Sequence, residues 1–303
     1  MYNQERKEQF IKERQKQAIL SNNIRNLFDL ASSTEADIGR DLCEWNSNEI
    51  LAFYKYYSTP SVQSLIQIHN SLTMYTNWCI LNGFVADNQN HFTELNSIML
   101  CDCVNIPALR KTLFSRKEIE DSISHLPNSS DAFLLLGLFE GITTKCMFDV
   151  KISDIDDNGY LHLVNGKKIK ITPLLHHYME LGAEEDTRVS MPNTQKEFQY
   201  EYTDGDHVIR HIKRKSIRQN DVVIIGDRMR KCGQYLDSPN ITMKSIAESG
   251  RMWFIGRMMA EQGISLEEAA VVRRSEHESI YGDIQNSVTY VNIYGKIITE
   301  MYG

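Results

Sequence analysis

The sequence has no apolar run near the roughly 18 residues that a membrane-spanning helix needs. Its first residues, MYNQERKEQFIKERQKQ, are polar and charged, without the apolar core of a secretory signal. Both absences predict an intracellular protein with no membrane partner. Cys43, Cys79, Cys101, Cys103, Cys146 and Cys232 form no CxxC pair and no zinc-knuckle spacing. Reduced thiols in a reducing compartment are therefore expected, with no metal and no cofactor implied. There are no internal repeats and no low-complexity tract. A basic surplus is missing too: the net charge is −7, which argues mildly against a nucleic-acid partner. Binding depends on the local field, however, because screening confines it to about 8–10 Å at physiological salt. The positions of the 33 lysines and arginines matter more than their total.

What is present suits two ordinary domains: 303 residues, 42 % hydrophobic and 24 % charged. The first hundred residues read as helices. Gln9 to Leu30 carries apolar residues at mostly three- and four-residue spacing. Asn46-Ser47-Asn48-Glu49 is a capping-box pattern ahead of Ile50. Thr59-Pro60 opens a further helix that runs to Ile80 and stops at Asn82-Gly83. The expected domains are 1–104, all helical, and 109–303, joined by a connector that includes Pro107.

In the second domain Ser115 to Glu118 is another capping box, and its helix stops at Pro127. Ala132 to Ile142 is apolar on nearly every face, so it should be a buried central helix. Asn165-Gly166 between Tyr160–Val164 and Lys167–Thr172 predicts a β-hairpin. A third strand is expected at Phe198–Tyr202 or Val208–Ile212. Helices should follow over Asn220–Lys231, Thr242–Gly263, Ser265 to about Arg274 and Ser287–Tyr302, although Gly250 weakens the second. The fold class is mainly α with a small antiparallel β-sheet.

That order of elements resembles the tyrosine recombinases, or phage integrases, over nearly the whole chain. Residues 48–85 resemble the family's core-binding region. GITTKCMFDVKISDID (Gly141 to Asp156) is similar to its GLRxSELxxLxxxDI segment, and YLHLVNGKKIKITPLL to its lysine-bearing hairpin. NITMKSIAESG (Asn240 to Gly250) resembles the start of its LTPHDLRHT helix, and NSVTYVNIY (Asn286 to Tyr294) its nucleophile region.

The resemblance implies a chemistry in which a tyrosine attacks a DNA phosphodiester while two arginines hold the non-bridging oxygens. Guanidinium forks suit that task because they meet phosphate charge bidentately. Losing one such donor typically costs about 10²–10³ in rate. Here the first arginine position holds Thr143, or Thr144 with a one-residue slip. The His-x-x-Arg site aligns with Lys244 and Ala247, followed by Glu248, whose charge would repel phosphate. An alternative register brings Arg251 near the second arginine. Tyr290 aligns with the nucleophile, with Tyr281 and Tyr294 as rivals. The resemblance therefore implies a family member without recombinase activity, similar to the recombinase-fold lysogeny repressors of some prophages, located in the bacterial cytoplasm at the nucleoid.

The expected partner is double-stranded DNA at operator sites. Candidate contacts are the hairpin's Lys167, Lys168 and Lys170, then Arg210, Lys213, Arg214, Lys215 and Arg218 in a run without an acid, and Arg110, Lys111, Lys244 and Arg251. Arg228, Arg230, Lys231, Arg273 and Arg274 are secondary. Lys12, Arg14 and Lys16 are expected on a solvated helix face. His125, His176 and His177 are expected to be surface or packing residues, and Met252–Met259 core. The resemblance also implies a second copy of the chain as partner, bridged by Tyr294–Gly303, with a frayed terminus as the alternative. Two other readings stay open: an active recombinase using Arg251 and Tyr290, and a helical interaction protein without a nucleic-acid role.

Overall fold

The computed structural model describes residues 1–16, 23–190, 199–213, 221–275, 278–279 and 284–302. The chain divides into two compact units, Met1–Leu109 and Arg110–Gly303.

The N-terminal unit is helical: α1 (Gln4–Lys16), α2 (Asn23–Ile38), α3 (Ser47–Tyr57), α4 (Val62–Leu81) and α5 (Ser97–Cys101). Phe10, Phe28, Tyr75 and Trp78 meet at its centre with ring centroids 4.8–6.3 Å apart. The Asn46 capping box at α3 forms as the sequence predicts. The start of α4 differs by two residues from its expected place at Thr59-Pro60. Ser61 takes the cap and accepts the Ser64 N–H at 3.3 Å, leaving Pro60 outside the helix.

A short α6 (Ile106–Arg110) leads into the second unit. There α7 (Arg116–Ser124) precedes α8 (Ser129–Glu140), which is buried from Ser130 to Glu140. Hairpin strands β1 (Tyr160–His162) and β2 (Lys168–Lys170) follow, then α9 (Pro173–Glu184) and the pair β3 (Thr187–Val189) and β4 (Gln199–Glu201). The chain continues through α10 (Asp221–Tyr235), α11 (Met243–Gln262), α12 (Leu266–Val271), β5 (Arg273–Ser275), β6 (Glu278–Ser279) and α13 (Ile284–Tyr302). Helices α7, α9, α10 and α11 all pack on α8, because a helix apolar all round can be satisfied only from every side.

The hairpin is present, with a longer turn than a bare Asn-Gly. Leu163 N–H reaches Lys167 O at 2.8 Å, so the loop is Val164-Asn165-Gly166, and Gly166 takes φ +81°. That left-handed residue closes a three-residue loop at no steric cost. The third expected strand is β4, and Tyr202 and Ile212 form an isolated bridge beside it. All six cysteines are buried and free of disulfides. Among the described residues no helix is long and apolar enough to cross a membrane, and no acid, histidine and cysteine grouping could hold a metal ion.

Candidate nucleic-acid interface

Helix α8 ends at Gly141, whose φ of +108° turns the chain sharply out of the helix. Thr143 follows in that turn. Its hydroxyl donates to Cys146 Sγ at 3.4 Å and its carbonyl accepts the Cys146 N–H at 3.0 Å. The side chain is thus committed to its own turn, and a threonine offers one neutral donor where a guanidinium offers five.

The second position lies on α11. Thr242 caps that helix by accepting the Ser245 N–H at 3.1 Å. Lys244 is exposed in the first turn, while Ala247 and Glu248 are half-buried in the second. Arg251, one turn further on, is exposed and pairs with Glu248 at 3.2 Å. Tyr294 comes from α13 into the same neighbourhood. Burial pushes its phenol well above the ordinary tyrosine range, with Glu248 adding to the effect and Arg251 opposing it. Such a phenol holds its proton and is a weak nucleophile. Tyr290 falls within α13 with its side chain outside the described part, and Tyr281 lies outside the described residues altogether.

The segment after α6 runs beside the start of α11. The Asn240 amide donates to Lys111 O at 2.9 Å, and the Phe114 N–H donates to Ser249 Oγ at 2.9 Å. Exposed Lys111 and Lys244 therefore share one end of the unit. Arg110 is less available, since it donates to Leu113 O at 3.2 Å and sits 3.7 Å from Glu300.

On the hairpin, Lys168 and Lys170 stand opposite His162 and Tyr160, on the face away from buried Leu161 and Ile169. Lys170 donates to Asn158 O and lies 4.9 Å from the Tyr160 ring centre. Lys167 and Lys168 are half-buried.

The basic run after residue 209 is where the structure departs most from expectation. Arg210 turns inward: it donates to the carbonyls of Ala183 and Glu185, and its guanidinium stacks 5.2 Å from the Tyr202 ring. Lys213 faces Glu201 at 3.4 Å and Asp204 at 3.8 Å, both exposed pairs that cost little to break. Arg214, Lys215 and Arg218 lie outside the described residues. Arg228 is buried on Asp131, and Arg230 and Lys231 pair with Asp227 at 2.5 and 2.9 Å. Arg273 and Arg274 lie on β5. Of the described arginines near the run, Arg210 and Arg228 are structural, because burial obliges a cation to find carbonyls or carboxylates.

Sequence reasoning missed the group that fixes Arg228. Asp131, fully buried in the first turn of α8, accepts Arg228 Nε at 2.6 Å, Arg188 Nη2 at 2.9 Å and the Asn128 amide at 2.8 Å. Arg228 also donates to Ser130 Oγ at 2.8 Å, which meets Tyr202 OH at 2.7 Å. A carboxylate opening an otherwise apolar helix was the available signal.

The C-terminal segment, expected to bridge protomers or to fray, is seated on its own domain. Ile293, Ile297 and Ile298 are buried, and α13 packs on α11 and α12. Tyr302 lies against Gly256, where a Cβ would come within 2.5 Å of its own.

Comparison with known proteins adds two kinds of finding. The family model described as "MrpR, N-terminal core-binding domain" matches residues 1–81, and "MrpR, C-terminal catalytic domain" matches residues 113–287. The chain is also similar to the SPbeta prophage-derived uncharacterized protein YopR of Bacillus subtilis (strain 168). That match is 19 % identical over 283 residues, covering 87 % of this chain and 84 % of the relative.

Proposed function

The chain belongs to the MrpR family, with both its core-binding and its catalytic domain, and from that premise we propose that it is a sequence-specific DNA-binding repressor that does not recombine DNA. The prophage origin of its relative fits a role in holding a prophage in lysogeny. One observation supports the reading: Thr143, which aligns with the first phosphate-holding arginine, is tied to its own turn, and Ala247, which aligns with the second in the preferred register, has Glu248 beside it. A transition state with charge building on phosphorus would find no guanidinium fork at the first place and a carboxylate next to the second. Binding needs neither group. Phosphate contacts come from lysines, arginines and backbone amides wherever these line the duplex.

A nicked suicide substrate tests the chemistry. We expect no covalent protein–DNA adduct, and unchanged DNA affinity in Tyr290→Phe. An adduct that Tyr290→Phe abolishes would establish an active recombinase, with Arg251 as its remaining arginine. Immunoprecipitation and sequencing of bound DNA should return several promoters; a single attachment-like site would point the same way as an adduct.

The affinity itself is assigned to the acid-free run and to the Lys111–Lys244 corner. Replacing Lys213, Arg214 and Lys215 by glutamine should weaken binding to all sequences and flatten the slope of log K against log salt by about 0.9 for each phosphate no longer neutralised. An unchanged slope in a filter-binding series would remove the run from the interface.

A further inference from the structure

We propose that Asn165 is a self-modifying residue: its side chain closes on the Gly166 backbone nitrogen, and the hairpin tip gains a carboxylate with time. The modification itself is independent of the DNA-binding reading above; only its effect on affinity rests on that reading.

Asparagine followed by glycine is the sequence most open to this reaction, because glycine has no side chain to shield its own nitrogen. The chain has three such pairs, Asn82-Gly83, Asn158-Gly159 and Asn165-Gly166. In all three the glycine N–H donates to a backbone carbonyl: Ile80 O at 3.0 Å, Asp156 O at 2.8 Å and Leu163 O at 2.9 Å. That bond must open before the nitrogen can react, and it does not distinguish the three.

The N–H two residues after the asparagine does distinguish them. At Asn165 the Lys167 N–H donates to the side-chain Oδ1 at 3.2 Å. Such an Asx turn folds the side chain back over the intervening peptide, bringing its carbonyl carbon toward the Gly166 nitrogen. It also places a donor on the oxygen that gains charge when the nitrogen attacks. At Asn82 the matching Phe84 N–H is taken by Cys79 O at 2.9 Å, and the Asn82 amide turns back to Trp78 O at 2.8 Å. At Asn158 the matching Tyr160 N–H is taken by Asp156 Oδ1 at 3.0 Å. Asn165 and Gly166 are both exposed, and a Cβ on Gly166 would meet nothing within 4 Å. Lys167, Lys168 and Lys170 of the same hairpin add a positive field that favours hydroxide and the anionic intermediate.

Hydroxide removes the Gly166 amide proton, and the nitrogen attacks Asn165 Cγ. An N–Cγ bond forms and the Cγ–Nδ2 bond breaks. Nδ2 leaves as ammonia after taking a proton from water, which restores the hydroxide. Water then opens the cyclic imide at either carbonyl. Opening at Cγ gives aspartate; opening at the main-chain carbonyl gives isoaspartate, whose backbone runs through the former side chain and is one carbon longer. Water is the sole co-reactant, and nothing is oxidised or reduced. Either product places one new negative charge among the hairpin lysines. The longer backbone also disturbs the Leu163–Lys167 bond that closes the three-residue loop.

The test ages the full chain in mildly alkaline buffer and follows its tryptic peptides by mass spectrometry. The peptide Ile152–Lys167 holds two of the three pairs and so compares them directly. Asn165 should convert several times faster than Asn158 or Asn82, in proportion to hydroxide. That lead should vanish in urea, where the turn is lost. Equal conversion of the three in the folded chain, or the same lead in urea, overturns the proposal. Asn165→Gln should resist ageing, because its longer side chain would have to close a larger ring. Aged wild type and Asn165→Asp should bind a scrambled duplex more weakly than fresh wild type, with a salt slope flatter by about 0.9; aged Asn165→Gln should not. An equal loss in aged Asn165→Gln overturns the effect on affinity. Absence of any salt-dependent binding by fresh wild type overturns the DNA-binding reading and leaves the modification standing.

Discussion

Replacing Asp131 by alanine is expected to destabilise the C-terminal unit by about 3–5 kcal/mol, the usual cost of leaving buried charge unpaired. The carboxylate has no solvent exposure and is the common acceptor for Arg228 and Arg188, themselves 5 % and 8 % exposed. Its loss strands two guanidiniums where water cannot reach them. The network also ties elements distant in sequence, since Arg188 lies on β3, Arg228 on α10 and Asp131 on α8. Urea denaturation should show a lower midpoint, measurable as loss of near-ultraviolet signal. Replacing Arg188 and Arg228 by methionine in the same variant should recover much of the loss, because a well-packed apolar trio avoids the desolvation cost. No recovery would mean that the clasp acts through shape rather than charge.

The same network sets an acid limit. Burial would raise the Asp131 carboxyl, but Arg228 and Arg188 outweigh it and hold the group below its ordinary value of 3.8. A depressed folded value means that its contribution is complete above the unfolded value and is lost as the pH falls through the folded one. Stability from this group should therefore stay level from pH 5 to 9 and decline only below about pH 4.

The second large effect is expected at Gly250. Alanine there should cost about 3 kcal/mol or more, the upper end for overpacked cores. A Cβ built on Gly250 lies 1.7 Å from Phe139 O and 2.5 Å from its carbonyl carbon. Both neighbours are backbone, so no rotamer change relieves the clash and α11 must move off α8. The control is Gly226 on α10, where the nearest atom to a new Cβ is the end of Met243 at 3.6 Å. Gly226→Ala should stabilise by about 0.5–1 kcal/mol, because it removes backbone freedom from the unfolded chain without a clash. Equal effects at the two positions, measured by thermal unfolding, would refute the close-approach account.

Gly250 also shows why part of the fold was hard to read from the chain. In sequence a glycine inside a 20-residue helix weakens the expectation of continuity. In the structure it is what lets α11 lie against the end of α8 and so brings Ala247 and Glu248 into place. Glycine's low helix propensity is local, whereas the space it vacates has value only once a second helix occupies it.

The candidate site divides the same way. The helix ends that carry the aligned positions were legible, because α8 stops at Gly141 and α11 starts at Thr242. Which cations are free was not legible. Arg210 sits in an acid-free run and still turns inward, to carbonyls of residues 183 and 185 that only the return of the chain after β4 brings near.

By itself the sequence determined most of the elements and their order, from the Asn46 and Ser115 capping boxes through the Gly166 turn. Each of those is set by residues within one or two turns of one another, at separations where side-chain chemistry and backbone sterics act directly. Only the tertiary structure decided that α13 is seated on its own domain, that Asp131 clasps two arginines and that half-buried Arg210 is committed to backbone carbonyls. Those outcomes depend on which buried polar groups the packed elements bring face to face, and a buried charge takes its partner from wherever the fold supplies one.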